Sequence, residues 1–285
     1  IHRDLAEKSS DAYLPYLANS CNNLADLLCN TGSFKEAEEL CREALKICSD
    51  LAEKNSDAYL PYLARSCNNL ADLLCNTGFF KESEELYREA LKIYRSLAEK
   101  NPDAYLPDLA LSCSNLASLL QDVHSFKEAE KLHREALKIR RDLAEKNPDV
   151  YLPSLAISCN NLAYLLSDTG SSKEAEELYR EALKICSDLA EKNSDAYLPY
   201  LARSCNNLAY LLSDIGSFKV AEELYREALK IRRNLAEENP KVYLPKLQLV
   251  CDNLTALLEK TGRREEADSL RREVAEFYQK QLAQQ

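Results

Sequence analysis

Between Asp103 and Leu120, apolar side chains fall at Leu106, Leu109, Ala110, Cys113, Leu116, Ala117 and Leu120. This is the i, i+3, i+4, i+7 spacing of one helical face, and it predicts a helix, called A. Asp103 is the expected N-cap, with Pro107 in the first turn, where backbone N–H groups lack intrahelical partners. A second stripe, Phe126, Ala129, Leu132, Ala136, Leu137, Ile139 and Leu143, predicts helix B over 126–146. Its other side alternates Lys127, Glu128, Glu130, Lys131, Glu135 and Lys138, which reads as a solvated face. Asn147-Pro148 closes helix B, because the residue before a proline is pushed out of helical geometry.

The pattern recurs every 46 residues. Tyr-Leu-Pro begins at Tyr13, Tyr59, Tyr105, Tyr151, Tyr197 and Tyr243, and the same step links Cys21, Cys67, Cys113, Cys159, Cys205 and Cys251. It also links Gly32, Gly78, Gly170, Gly216 and Gly262, with His124 standing in once. The units run over 11–56, 57–102, 103–148, 149–194, 195–240 and 241–285, the last ending in a capping helix. Residues 1–10 align with the end of a helix B, which reads as a truncated preceding repeat. Neither helix of a hairpin can bury its apolar surface alone, so neighbours must stack. The expected fold is all-α: one continuous α-α superhelix, or solenoid, of six antiparallel helix hairpins with a concave wall lined by the A helices. Ile47 to Gly78 and Ile185 to Gly216 differ only in the pairs Asp72/Tyr210, Cys75/Ser213, Asn76/Asp214 and Thr77/Ile215. A block was evidently copied, so recurrence here reports geometry before it reports a site.

Composition narrows the function. The chain of 285 residues is 46% apolar with a net charge of −10, and its five glycines are all the A–B turn glycine. No leader and no long uncharged apolar run stands out, so a cytoplasmic protein without membrane association is expected. An acidic array offers no continuous basic stripe for phosphates, which argues against nucleic acid. Eleven cysteines without a C-x-x-C pair suit a reducing compartment and inert thiols rather than a metal site, with Cys29 and Cys75 open to oxidation if they face solvent. His2, His124 and His133 build no catalytic constellation. No catalysis, cofactor or metal is expected.

The run Cys21-x2-Leu24-Ala25-x2-Leu28, Gly32, Ala37-x3-Cys41-x2-Ala44 follows the order and spacing of the tetratricopeptide pattern W-x2-L-G-x2-Y, A-x3-F. The chain resembles a tetratricopeptide repeat array, most closely the kinesin light chain and bacterial long-repeat types, with helices lengthened from the usual 34 residues. Cysteine replaces the large aromatic and alanine the glycine, and a small apolar residue still packs there. The resemblance implies a non-enzymatic protein-interaction scaffold. Kinesin light chains present a basic groove to acidic cargo peptides, and the acidic charge of this chain argues against carrying that cargo over.

On a helical wheel with Cys21, Leu24, Ala25 and Leu28 buried, the opposite face of helix A carries Asn22 and Asp26 in the first unit. In later units it carries Arg65, Asn68 and Asp72; Asn160 and Tyr164; Arg203, Asn206 and Tyr210; and Lys246 and Leu249. Asparagine both donates to and accepts from a peptide backbone, so these residues are the candidate peptide-binding face. The edge column Asn23, Asn69, Asn115, Asn161, Asn207 and Asn253 is read instead as bonding between repeats. The partner is a protein or peptide, with self-association through exposed repeat ends as a further possibility. The alternatives are a structural spacer or self-associating array, and the sensor arm of a larger multidomain protein.

Overall fold

The computed structural model describes residues 10–283, and among them every regular element is a helix. Twelve helices follow one another: α1 Ser10–Asn30, α2 Phe34–Lys54, α3 Ser56–Asn76, α4 Phe80–Lys100, α5 Pro102–Asp122, α6 Phe126–Lys146, α7 Pro148–Asp168, α8 Ser172–Lys192, α9 Ser194–Asp214, α10 Phe218–Glu238, α11 Pro240–Lys260 and α12 Arg264–Ala283. Helix B of the third unit spans the predicted 126–146. The expected end of a preceding helix B falls outside the described residues, except for Ser10, which opens α1.

Helix A starts earlier than predicted. Asn101, not Asp103, is the N-cap, with Pro102 at the first helical position, where its missing N–H costs nothing. Where serine follows instead, the cap is complete: Asn55 accepts from the Ala58 amide and Asn193 from the Ala196 amide, each at 3.2 Å. Pro107 therefore lies one turn inside the helix and withdraws the N–H that would have reached the Asp103 carbonyl.

The A–B turn is fixed by backbone. Gly78 has φ +86°, while the Phe79 amide reaches back to the Leu74 carbonyl at 2.8 Å, the six-to-one bond that closes a helix ending in left-handed geometry. A Cβ at Gly78 would meet nothing within 4 Å, so the glycine serves φ alone. His124 adopts φ +62° without that freedom.

The chain forms two compact units, residues 1–143 and 144–285. In the first, α1 to α5 pack each on the next, and α1 touches α3 as α3 touches α5. In the second, α7 to α12 pack in the same way, with α7 on α9 and α9 on α11. Within each unit the A helices thus meet directly. The B helices are bridged at their surfaces by ion pairs 40 residues apart, Arg42–Glu82, Arg88–Glu128 and Arg95–Glu135 in the first unit, Arg226–Glu266 and Arg233–Glu273 in the second. The face read as merely solvated is a ladder of exposed ion pairs between repeats.

Cys67, Leu70 and Ala71 are fully enclosed, and Leu70 and Leu74 pack against Ala37 and Cys41 of α2. Leu24, expected to be buried, is 47% exposed. The core also takes in His133 and Arg140 of α6, which the apolar stripe passes over. In the second unit, Leu244, Leu247 and Cys251 of α11 pack with Ala236, Val274 and Phe277.

Candidate functional site

The asparagine column at the centre of helix A is placed differently from the wheel. Asn22, Asn68 and Asn160 are buried, each beside a buried alanine four residues earlier, Ala18, Ala64 and Ala156. They lie where one A helix meets the next. Asn22 donates to Ser66 at 3.3 Å, Asn68 to Ser112 at 2.9 Å and Asn160 to Ser204 at 3.1 Å. Ser66 and Ser204 continue the chain to the thiols of Cys48 and Cys186. The reason is geometric: helix A is flanked by its own B helix, the preceding B helix and the adjoining A helix, and the wheel assumed a single buried side. The edge column also bridges repeats, as expected: Asn207 donates to Asn160, Asn253 to Asn206 and Asn115 to Asp72, at 3.4, 3.0 and 3.5 Å.

Asn206 differs from its equivalents. The serine that would receive it is replaced by Val250, so its amide leaves the ladder for a weak 3.5 Å contact with Asn207 and stays half-buried. Val250 and Asn206 border the principal cavity of the second unit, about 720 Å³ between α9 and α11, with Arg232 of α10 reaching in from behind. Tyr200, Arg203, Tyr243, Lys246 and Leu249 complete its walls. Arg203 stacks over Tyr200, its carbon 5.6 Å from the ring centre, and Lys246 lies 5.3 Å from the centre of the Tyr243 ring. Arg232 is buried, gives one bond of 3.0 Å to the Pro199 carbonyl and leaves its other terminal nitrogen unpartnered. Burial depresses its pKa, and Arg203 adds to that.

The other predicted residues are exposed on their helices and are not gathered into this cavity: Asp26, Arg65, Asp72, Tyr164 and Tyr210. Arg65 is engaged by Asn19, and Asp72 accepts from Tyr87. Tyr164 and Tyr210 are 53% and 52% exposed. Arg232 was missed because it sits on helix B, in a column that reads Cys48, Tyr94, Arg140, Cys186, Arg232. A change of residue type at a position facing helix A was the available signal.

Nine of the eleven cysteines are buried, and none forms a disulfide; Cys29 and Cys75 are half-buried. Burial pushes Cys41 and Cys113 up to about 12. Among the described residues no cluster of histidine, cysteine or carboxylate could hold a metal ion, and no helix is long and apolar enough to cross a membrane.

Helix hairpins at a constant step, closed by left-handed glycines and stacked A on A, define a helical-repeat protein. Tetratricopeptide repeat family models match residues 17–55, 62–142, 108–188 and 160–234, and the chain belongs to that family. No curated protein matches it in sequence. Solved structures similar to it include BtubC (BKLC) from P. vanneervenii, 24% identical with a TM-score of 0.69, covering 86% of this chain and 90% of that one. A kinesin light chain-like protein of Podosopora anserina with nearly identical TPR-like repeats is 23% identical, TM-score 0.59, covering 79% and 98%. Aspartyl phosphate phosphatase F from Bacillus subtilis is 14% identical, TM-score 0.62, covering 97% and 74%. At these identities the likeness shows the fold alone. The fold is one typical of protein-interaction scaffolds.

Proposed function

We propose that the chain is a non-enzymatic scaffold that binds a peptide or an extended segment of a partner protein along its A helices. The observation that carries this reading is the cavity between α9 and α11, with exposed Tyr200 at its border beside Asn206, whose amide keeps only a 3.5 Å contact with Asn207. A preformed recess between packed helices costs the protein little ordering on binding, and tyrosine and arginine are frequent interface anchors. Tyr164, Arg203, Asn206 and Tyr210 would contact the partner in the second unit, and Asp26, Arg65 and Asp72 in the first. Asn22, Asn68 and Asn160 would instead hold the A helices in register. The mostly buried cysteines, none of them in a disulfide, support a reducing, cytoplasmic setting.

The test is capture of partners from lysate by the protein and by a Tyr164→Ala/Tyr200→Ala/Tyr210→Ala variant. Loss of partners at unchanged helicity is expected. An identical set of partners overturns the reading.

A further inference from the structure

We propose that Asp26 and Asp72, on neighbouring A helices of the first unit, hold a primary ammonium group, carried by a free alkyl diamine or by a lysine side chain. This rests on the reading above that both residues face a ligand, and it names the chemistry of that ligand. Their wall position is acidic in the first two repeats alone, since it reads Asp26, Asp72, Ser118, Tyr164, Tyr210 and Ala256 along the chain. The copied helices α3 and α9 agree from Ser56 to Ala71 and part at Asp72, where α9 has Tyr210. The helices that carry the two aspartates, α1 and α3, touch directly.

The carboxylate disturbs the asparagine ladder around it. In the second unit the edge asparagine of one repeat satisfies the central asparagine of the repeat before, Asn207 donating to Asn160 at 3.4 Å and Asn253 to Asn206 at 3.0 Å. The equivalent Asn115 turns instead to Asp72, at 3.5 Å. Asn68 is only 6% exposed and gives its own amide to Ser112, and its Oδ1 is left buried without a donor. The Asn68 carbonyl and the Asp72 carboxylate thus compete for one amide, which brings both acceptors to the same place on the wall. Asn22, one turn before Asp26, repeats the pattern: it is 4% exposed, and its Oδ1 also lacks a donor. A buried acceptor left unmet is costly, so the wall is short of donors where the aspartates stand. Charge is unmet there as well. Crowding by the surrounding helices raises the Asp72 pKa, the hydrogen bond from Tyr87 lowers it and Asp26 raises it again, with no cation among these influences. Arg65, the basic residue of the same helix, is taken by Asn19 and lies 5.4 Å from the centre of the Tyr62 ring. Water brings donors without charge, whereas Asp26 beside Asp72 calls for both. An ammonium supplies three N–H donors and a positive charge and can be shared by carboxylates on two helices, while a guanidinium offers a planar fork suited to one. Once the ammonium bonds Asp72, the Asn115 amide is free to return to Asn68, as its equivalents do in the second unit.

The experiment titrates the whole chain by isothermal calorimetry, at constant ionic strength, with 1,4-diaminobutane, with butane-1,4-diol, and with capped serine-rich hexapeptides carrying lysine or norleucine at the two central positions. At least one ammonium probe should bind, and its uncharged counterpart should not. Asp26→Asn/Asp72→Asn should weaken that binding about tenfold, the loss of one charge-assisted bond. Asp72→Tyr, which matches α9, should weaken it at unchanged helicity. Asp50→Asn/Asp188→Asn makes the same change of net charge at exposed sites on B helices and should leave binding as it is. Tighter binding of the lysine peptide than of the diamine assigns the site to a partner's side chain, and the reverse assigns it to a free amine; both uphold the ammonium. In protein labelled with nitrogen-15 at asparagine side chains, the Asn115 amide signal should move on binding and stay in place in Asp72→Tyr. Binding of neither ammonium probe, equal binding of the lysine and norleucine peptides, or binding that survives Asp26→Asn/Asp72→Asn overturns the assignment. The groove reading is decided apart from this, by the capture experiment on the tyrosine variant, so the two can fail separately.

Discussion

Replacing Asn160 by alanine separates a residue that holds the array together from one that merely lines it. Its amide donates to Ser204 at 3.1 Å and to the Ala156 carbonyl at 2.9 Å, and its carbonyl accepts from Asn207 at 3.4 Å. Three buried or half-buried bonds at about 1 kcal/mol each put the loss near 3 kcal/mol. Ser204→Ala removes only the first of these and the weak 3.5 Å contact to Cys186, so about 1 kcal/mol is expected. The double variant should cost about 1 kcal/mol less than the sum of the two, which is the coupling across the junction of α7 and α9. Urea unfolding followed by far-ultraviolet circular dichroism measures all three, and a reduced m-value in Asn160→Ala would show the repeats separating before they unfold. If Asn160→Ala costs less than about 0.5 kcal/mol, the ladder contributes nothing beyond an ordinary surface change and the reasoning fails.

Other outcomes follow from particular residues. His124→Gly should stabilise the protein by about 1 kcal/mol in thermal melts, since the turn holds φ +62° and only glycine adopts that without strain; no change would mean that the edge contact of His124 with Phe126, 5.5 Å between centres, compensates. His133 is buried and held down to about 4, by burial first and by Arg140 second, so the unfolded chain takes up its proton near 6.5 and the folded chain only near 4. Stability is therefore full above pH 6.5 and falls by about 3 kcal/mol as pH drops toward 4; His133→Tyr, the residue of Tyr87, Tyr179 and Tyr225, should flatten that part of the urea-derived pH profile, and an unchanged profile would refute the assignment. Maleimide labelling of the native protein should mark Cys29 and Cys75 well before the nine buried cysteines, as read by peptide mass spectrometry.

How much was legible in the residues depended on how many neighbours each position has. Helix B faces its own A helix and the next one, and its stripe from Phe126 to Leu143 with the Asn147-Pro148 terminator predicted the span that it occupies. The turn was equally plain, because a left-handed residue demands glycine and the glycines recur without slippage. Helix A has three neighbours, and periodicity alone cannot distinguish a solvent face from a face made of small polar groups that meets an adjoining helix. Asn160 was read as part of the open face, yet it is buried directly above the buried Ala156 four residues earlier. Arginine in a core column was invisible for a related reason. A wheel scores Arg232 as polar, although its stem packs inside and only its head enters the cavity.

The duplication turns that ambiguity into an argument about where function resides. Because α3 and α9 carry the same tyrosine, arginine and asparagine at matching places, those residues cannot by themselves account for a cavity bordered by Asn206 in the second unit and an Asn68 bonded to Ser112 in the first. The difference comes from four single changes on neighbouring helices, Ile157, Arg232, Lys246 and Val250, each of which removes a partner or adds a charge. In a repeat array the framework is copied with the helix, whereas specificity is free to drift in the residues that face it from either side. Under the proposed groove reading, the groups to vary first are therefore Arg232 and Lys246, before Asn206. The last is shared with Asn68 and becomes available only because Val250 stands where Ser112 does in the other copy. Val250→Ser should draw the Asn206 amide back into the ladder and weaken ligand binding, with the regained bond of about 1 kcal/mol offset by the loss of buried methyl groups. Binding left untouched would show that Asn206 plays no part in recognition.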